Sequence, residues 1–257
     1  MFQDAKQRFS NRAEDYAKYR PGYPREILHL MGASCRLGPE SVIADIGSGT
    51  GLLSRIFLEN GNRVFGVEPN AEMRSAGEEY LRRFAGFTSV PGSAEAVALP
   101  DGSVDLVVAG QAFHWFDVER TRTEFRRILK TGGSVVIVWN ERLLDSTLFL
   151  REYEELLRQL GTDYARVNES YPRNEQMQEF FGKNEFRSHT LPNFQEFDFD
   201  GLSGRLRSSS YAPAPDHPQH VPMMDELRRI FDAHQGNGRV RIEYNTRIYA
   251  GKLDLLE

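Results

Sequence analysis

The chain has 257 residues, of which 40% are hydrophobic and 27% charged, and its formal net charge is -5. That is enough chain for one large buried core, and the acidic balance gives no reason to expect nucleic acid as a partner. The single cysteine, Cys35, excludes an internal disulfide and a zinc site of the multi-cysteine type, and is read as a residue of a connector rather than a nucleophile.

The start, MFQDAKQRFSNRAEDY, lacks the apolar core of a signal peptide, and no later stretch is apolar for long enough to span a bilayer. The expectation is a cytoplasmic protein that works without a membrane. FSNRAEDYAKYRPGYP predicts a helix stopped near Pro21, and a second short helix follows from Glu26 to Met31. The runs VIADI, RVFGVE, VDLVVAG and SVVIVW are nearly all apolar, as strands buried on both faces are. Between them, Leu52, Leu53, Ile56 and Phe57 share a helical face, as do Phe125, Ile128 and Leu129 before a stop at Gly132 and Gly133. Alternation of strand and helix predicts a parallel sheet covered on both sides. LFLREYEELLRQLG predicts a helix, HTLPNFQEFDFD alternates in part, and RLRSSSYAPAPDHPQHVP is a Ser/Pro-rich connector. A helix around Met224 to His234 and a long last strand, RVRIEYNTRIYAGKL, complete the chain. The expected organisation is one domain. Residues 1–40 form N-terminal cap helices, 41–140 a ligand-binding core, 141–186 a lid insertion after the fifth strand, and 187–257 complete the sheet.

The chemistry centres on VIADIGSGTG. A first strand, a glycine loop and a helix form the usual ligand site of a doubly wound sheet. Gly47, Gly49 and Gly51 permit positive φ or a close backbone approach. The spacing is G-x-G-x-G, with Leu52 where a dinucleotide fingerprint has its third glycine, and no Gly-Lys-Ser/Thr follows for a Walker loop. Asp45 before the glycines suits a ligand with a positive end, such as an ammonium or a sulfonium. Glu68, 23 positions later, stands where such folds place the carboxylate that holds ribose hydroxyls.

The segments Asp45 to Gly51, Glu68-Pro-Asn, Gly92-Ser-Ala-Glu95, Leu99 to Asp105 and Gly132-Gly133 together resemble the successive motifs of the class I S-adenosylmethionine-dependent methyltransferases, type 11 family. FSNRAEDYAKYRPGYP and QAFHWFD resemble a subgroup of trans-aconitate methyltransferase-like small-molecule enzymes. The resemblance implies a Rossmann-like α/β fold with a seven-stranded sheet whose last strand is antiparallel, and S-adenosyl-L-methionine as cofactor. It places Gly47, Ser48, Gly49 and Gly51 along the methionine moiety, Asp45 at its ammonium and Arg20 at its carboxylate. Glu68 falls at the ribose, Pro69, Met73, Ser93, Ala94 and Glu95 at the adenine, and Gln111 and Ala112 before the sulfonium.

His114 is the candidate base in QAFHWFD. Tyr16, Tyr19, His114, Trp115, Arg207 and Tyr211 are the expected substrate wall, with Arg205 near it. The implied partner is a small-molecule acceptor, a carboxylate among the options, on a monomer or homodimer. No metal site is expected, because His217 and His220 lack a third ligand. An NAD-linked oxidoreductase and a non-catalytic cofactor-binding protein remain as alternatives.

Overall fold

The computed structural model describes residues 18–162, 164, 174–182 and 186–253. Its strands are β1 (Val42–Ile46), β2 (Arg63–Val67), β3 (Phe87–Val90), β4 (Val104–Gly110), β5 (Leu129–Arg142), β6 (Phe186–Phe197) and β7 (Val240–Gly251). They form one sheet in the order β3-β2-β1-β4-β5-β7-β6. Pairing is parallel from β3 through to β5, and β7 runs antiparallel to both β5 and β6. The strand order reverses beside β1 and β4, which opens a crevice at the carboxyl ends of those two strands.

The helices are α1 (Glu26–Cys35), α2 (Leu52–Glu59), α3 (Ala71–Leu81), α4 (Val118–Ile128), α5 (Leu148–Leu160), α6 (Asn174–Phe181), α7 (Phe199–Arg207) and α8 (His220–His234). Side chains alternate across a strand, so each central strand feeds two cores. Ala44, Val107, Ile137 and Trp139 pack with Phe125 of α4 and Phe180 of α6 on one face. Ile43, Val108, Val138 and Ile248 pack with Ile27 of α1 and Phe57 of α2 on the other. A third core joins α5, α7 and α8 over Val240, Ile242 and Tyr244 of β7. Those residues lie beside the carboxyl end of β5, because β7 runs the opposite way with Arg142 paired to Tyr244.

The structure departs from the sequence reading in a few elements. Strand β3, the short FTSV, was not anticipated, nor was α7, which runs from the end of HTLPNFQEFDFD into the first residues of the Ser/Pro-rich connector. Helix α4 ends at Ile128 rather than at the glycine pair. Leu129 is already extended, and Gly132-Gly133 falls inside β5, where the register against β4 shifts. Within the stretch expected as a lid, α5 and α6 are built into two different cores. Among the described residues no helix is long and apolar enough to cross a membrane.

Candidate functional site

The apolar run of β1 ends at Ile46, and three left-handed glycines turn the chain into α2: Gly47 (φ +69°), Gly49 (+55°) and Gly51 (+83°). Only at Gly47 does the loop need both the angle and the space, because a Cβ there would stand 2.5 Å from Ala112 Cβ. The loop after β1 and the loop after β4 therefore touch at the crevice. Met73 of α3 leans on the same loop, its Cε 3.4 Å from where a Cβ on Gly49 would be.

The loop's own donors are largely committed. The Gly47 and Ser48 N–H groups donate to Val67 O, Gly51 N–H donates to Ser48 O, and Gly49 N–H donates to Glu68 Oε2 at 3.0 Å. The second oxygen of Glu68 accepts from Asn70 N–H at 2.8 Å, which points the carboxylate at the loop from the end of β2. Asn70 in turn caps α3 by accepting from Glu72 and Met73 N–H.

Asp45 lies beneath this loop rather than at its mouth, with 1% of its surface exposed. Ser54 donates to its Oδ2 at 2.6 Å, while its Oδ1 is buried without a hydrogen-bond partner. Burial, together with the nearby Glu68 charge, outweighs the Ser54 bonds and pushes the Asp45 carboxyl up to about 7. A loop with the N–H groups of Gly47, Ser48, Gly49 and Gly51 engaged, and flanked by two carboxylates, repels a pyrophosphate and suits a cationic ligand end.

Gln111, just past β4, holds a left-handed backbone (φ +58°) that a non-glycine residue rarely adopts. Its N–H donates to Val138 O and its Nε2 to Asn140 O, which locks it between β4 and β5. Ala112 and Phe113 follow, and His114 packs its ring 5.1 Å from Trp139 and 4.5 Å from Trp115. His114 is itself exposed to the crevice, and desolvation by the surrounding protein lowers its pKa to about 4, so the ring is neutral at pH 7.

The 93–95 turn joins the same end of the sheet: Ser93 pairs with Ala96, Ala94 is buried, and Glu95 Oε1 accepts from Asp117 N–H at 3.0 Å. Pro69 is exposed beside Glu68. Asp45, the glycine loop, Glu68 and Met73 thus form one cluster, joined to Ala112 by the Gly47 contact.

The expected substrate wall divides. His114 and Trp115 stand with Trp139, whereas Arg142 is an odd number of positions further along β5 and faces the opposite side of the sheet. On that opposite side Tyr19 packs its ring on Gly204, Gln195 donates to Tyr19 O, and Arg20 donates to Ser208 O at 3.0 Å. Arg20 also faces Tyr211. The bond to Ser208 ties Arg20 to the end of α7.

Arg207 is exposed, and it is Arg205 that turns inward. Around Arg205 and Tyr211 gather Arg142, Tyr153, Tyr164 and Tyr244, none of which the sequence reading singled out. Asn140 was missed as well. Its side chain donates to Gly22 O and accepts from Thr246 Oγ1 at 2.6 Å, which fastens the N-terminal segment across the sheet. Tyr16 lies outside the described residues. His217 Nδ1 accepts from Gln219 N–H and the His220 ring meets Pro213 O, so both imidazoles are engaged within their own loop. Burial pushes the Cys35 thiol up, the reverse of what a nucleophile needs.

Comparison with known proteins follows the same residues. A family profile described as "Methyltransferase domain" matches residues 44–137, from β1 into β5. An uncharacterized methyltransferase of Bacillus cytotoxicus is 32% identical over 154 residues, covering 56% of this chain and 68% of that protein. Other curated relatives reach 34% and 35% identity, and the chain spans only 53% and 60% of their length. Among solved structures, a candidate type II methyltransferase from Anaeromyxobacter dehalogenans shares the fold with a TM-score of 0.67, at 23% identity over 91% of this chain and 98% of that one. Haemonchus contortus phosphoethanolamine N-methyltransferase 2, solved with S-adenosylhomocysteine, shares it with a TM-score of 0.56 at 17% identity, covering 99% of this chain and 59% of that one. On the relationship to the Bacillus cytotoxicus protein and the matched domain, the chain belongs to the methyltransferase family.

Proposed function

We propose that the protein is an S-adenosylmethionine-dependent methyltransferase whose acceptor is a small molecule bearing a carboxylate, acting in the cytoplasm in the manner of the trans-aconitate methyltransferase-like subgroup. The observation that carries the reading is the glycine loop with its three glycine N–H groups and that of Ser48 engaged, Asp45 beneath it and Glu68 aimed at it. S-adenosylmethionine supplies a methyl group on a positively charged sulfur. Gly47, Ser48 and Gly49 give its amino-acid end a flat seat, and Asp45 attracts the ammonium by its field from below. Glu68, held by the backbone N–H groups of Gly49 and Asn70, turns its carboxylate toward the ribose hydroxyls. Met73, Ser93 and Ala94 border the adenine.

Catalysis by this chain is orientation and exclusion of water. Gln111, pinned between two strands, and Ala112 hold the methyl-bearing side of the site. A general base works best with a pKa near the operating pH, and His114 lies about 3 units below neutrality. His114 therefore serves as a neutral polar wall that adds no positive charge beside the sulfonium. An acceptor that arrives without a proton to lose fits such a site, and a carboxylate is one. Its oxygen takes the methyl group, the carbon–sulfur bond breaks, and anion and cation become a neutral ester and a neutral thioether.

Calorimetric titration with S-adenosylhomocysteine and with NADH tests the cofactor assignment. Glu68→Gln is expected to weaken S-adenosylhomocysteine binding about ten-fold or more, as loss of a charged hydrogen-bonding partner does. Tight NADH binding with no response to S-adenosylhomocysteine would overturn the reading. Transfer of labelled methyl to a panel of small acids separates a working enzyme from a protein that only binds the cofactor.

A further inference from the structure

Arg205 has 5% of its surface exposed, and its guanidinium donates to two neutral hydroxyls: Nη1 to Ser209 Oγ at 2.9 Å and Nε to Tyr244 Oη at 3.3 Å. No carboxylate pairs with it among the described residues. Burying a lone cation costs several kcal/mol, and a guanidinium has five N–H donors to satisfy. Arg142, also buried, donates to Glu154 and to Tyr164 Oη, while Glu154 is shared with the exposed Arg158. Two buried guanidinium groups, Arg142 and Arg205, stand against one carboxylate, Glu154, so positive charge is left in excess.

A second observation points the same way. The Tyr153 hydroxyl is buried in this cluster without a hydrogen-bond partner, on a residue only 1% exposed. Tyr211 sits between Arg205, Arg142 and Arg20, and these three cations hold its hydroxyl below the usual phenol range although burial opposes it. The cluster lies at the carboxyl end of β5, with Arg142 facing Tyr244 across the β5–β7 ladder and two residues beyond Asn140, whose carbonyl is held by Gln111.

We infer that Arg205 and Arg142, with the hydroxyls of Tyr153 and Tyr211, form a binding site for one carboxylate of a small organic acid, the acceptor's anchoring end. This rests on the methyltransferase reading for the word acceptor, but the anion site stands on the buried charge alone. A carboxylate offsets the excess positive charge and can lie in the guanidinium fork, with Tyr153 donating to an oxygen. Inorganic phosphate is the competing anion that the titration distinguishes. Arg205 and the unpartnered Tyr153 hydroxyl are specificity-determining residues, on the opposite face of β5 from His114.

The test is calorimetry on the full chain with succinate, propionamide as a neutral control and inorganic phosphate, each with and without saturating S-adenosylhomocysteine. Succinate is expected to bind, propionamide not to, and phosphate to bind at least about ten-fold more weakly. Arg205→Gln is expected to lower succinate affinity about ten-fold or more while S-adenosylhomocysteine affinity changes less than about two-fold. Tyr153→Phe removes a hydroxyl that makes no bond in the free protein, so it is expected to leave the melting temperature unchanged or raised while weakening succinate several-fold.

Absence of succinate binding by the unmodified chain, phosphate binding as tight as succinate, or unchanged succinate affinity in Tyr153→Phe would each overturn the inference. Failure of S-adenosylhomocysteine to bind would instead overturn the function reading, while the titration without it still decides the anion site.

Discussion

The Asp45 carboxyl, raised to about 7, is near half-protonated in the free protein at neutral pH. Its folded value lies above the ordinary 3.8, so the folded state holds the proton more tightly than the unfolded chain does. The stability this contributes is complete below about pH 4 and is lost as the pH rises through 7. For a group so buried, the burden above pH 7 is about 4 kcal/mol. A cationic ligand end reverses the balance by favouring the ionised form. S-adenosylhomocysteine affinity is therefore expected to rise with pH between about 5.5 and 7 and level off above, approaching ten-fold per unit at the acid end. Asp45→Asn is expected to bind more weakly and to lose this dependence. Dissociation constants measured across that range decide it, and a flat profile in the unmodified protein would remove Asp45 from the cofactor site.

At the scale of elements, the position of the glycine loop depends on how closely α3 approaches it. A Cβ on Gly77 would stand 3.0 Å from Gly49 O, so the helix rests its glycine directly on the loop's backbone. Gly77→Ala already presses on an atom that cannot rotate away, and Gly77→Val forces helix and loop apart. Gly77→Val is expected to lower the melting temperature and to cut S-adenosylhomocysteine affinity by more than about ten-fold, because the seat moves relative to Glu68. Normal affinity in a folded Gly77→Val protein would show that α3 does not set the loop.

The loop, Glu68 and the order of the central strands were legible because each is carried by a short contiguous signature: an apolar run, a glycine spacing, a carboxylate at a strand end. The arginine–tyrosine cluster was not legible, because it joins β5, α5, α7 and β7 across about a hundred positions of sequence. Arg207 was preferred to Arg205 for want of a helix in the Ser/Pro-rich tail. On α7, two residues apart means nearly opposite faces, so the inward residue was Arg205. Strand β3 escaped notice for a different reason: four residues with one buried position carry almost no periodic signal.

Across the whole molecule, one continuous sheet runs through three cores, and the N-terminal segment is fastened over its ligand end. Gly22 O accepts from both Asn140 and Asn193, Tyr19 O accepts from Gln195, and the Tyr23 hydroxyl fills the space that a side chain at Gly110 would take. The cofactor loop belongs to β1, while the arginine–tyrosine cluster sits on the far strands. Both are joined through β4 and β5, where Gln111 bonds Val138 and Asn140. Ligand binding at the loop should therefore stabilise the helices over β7 as well as the central strands. S-adenosylhomocysteine at about a hundred times its dissociation constant adds about 2.7 kcal/mol, which for a domain of this size corresponds to a rise of about 5–10 °C in melting temperature. The expected calorimetric trace is a single transition that moves as a whole. A second transition that stays in place when the ligand is added would mean that α5, α7 and α8 unfold on their own, and that the acceptor side is mechanically independent of the cofactor side.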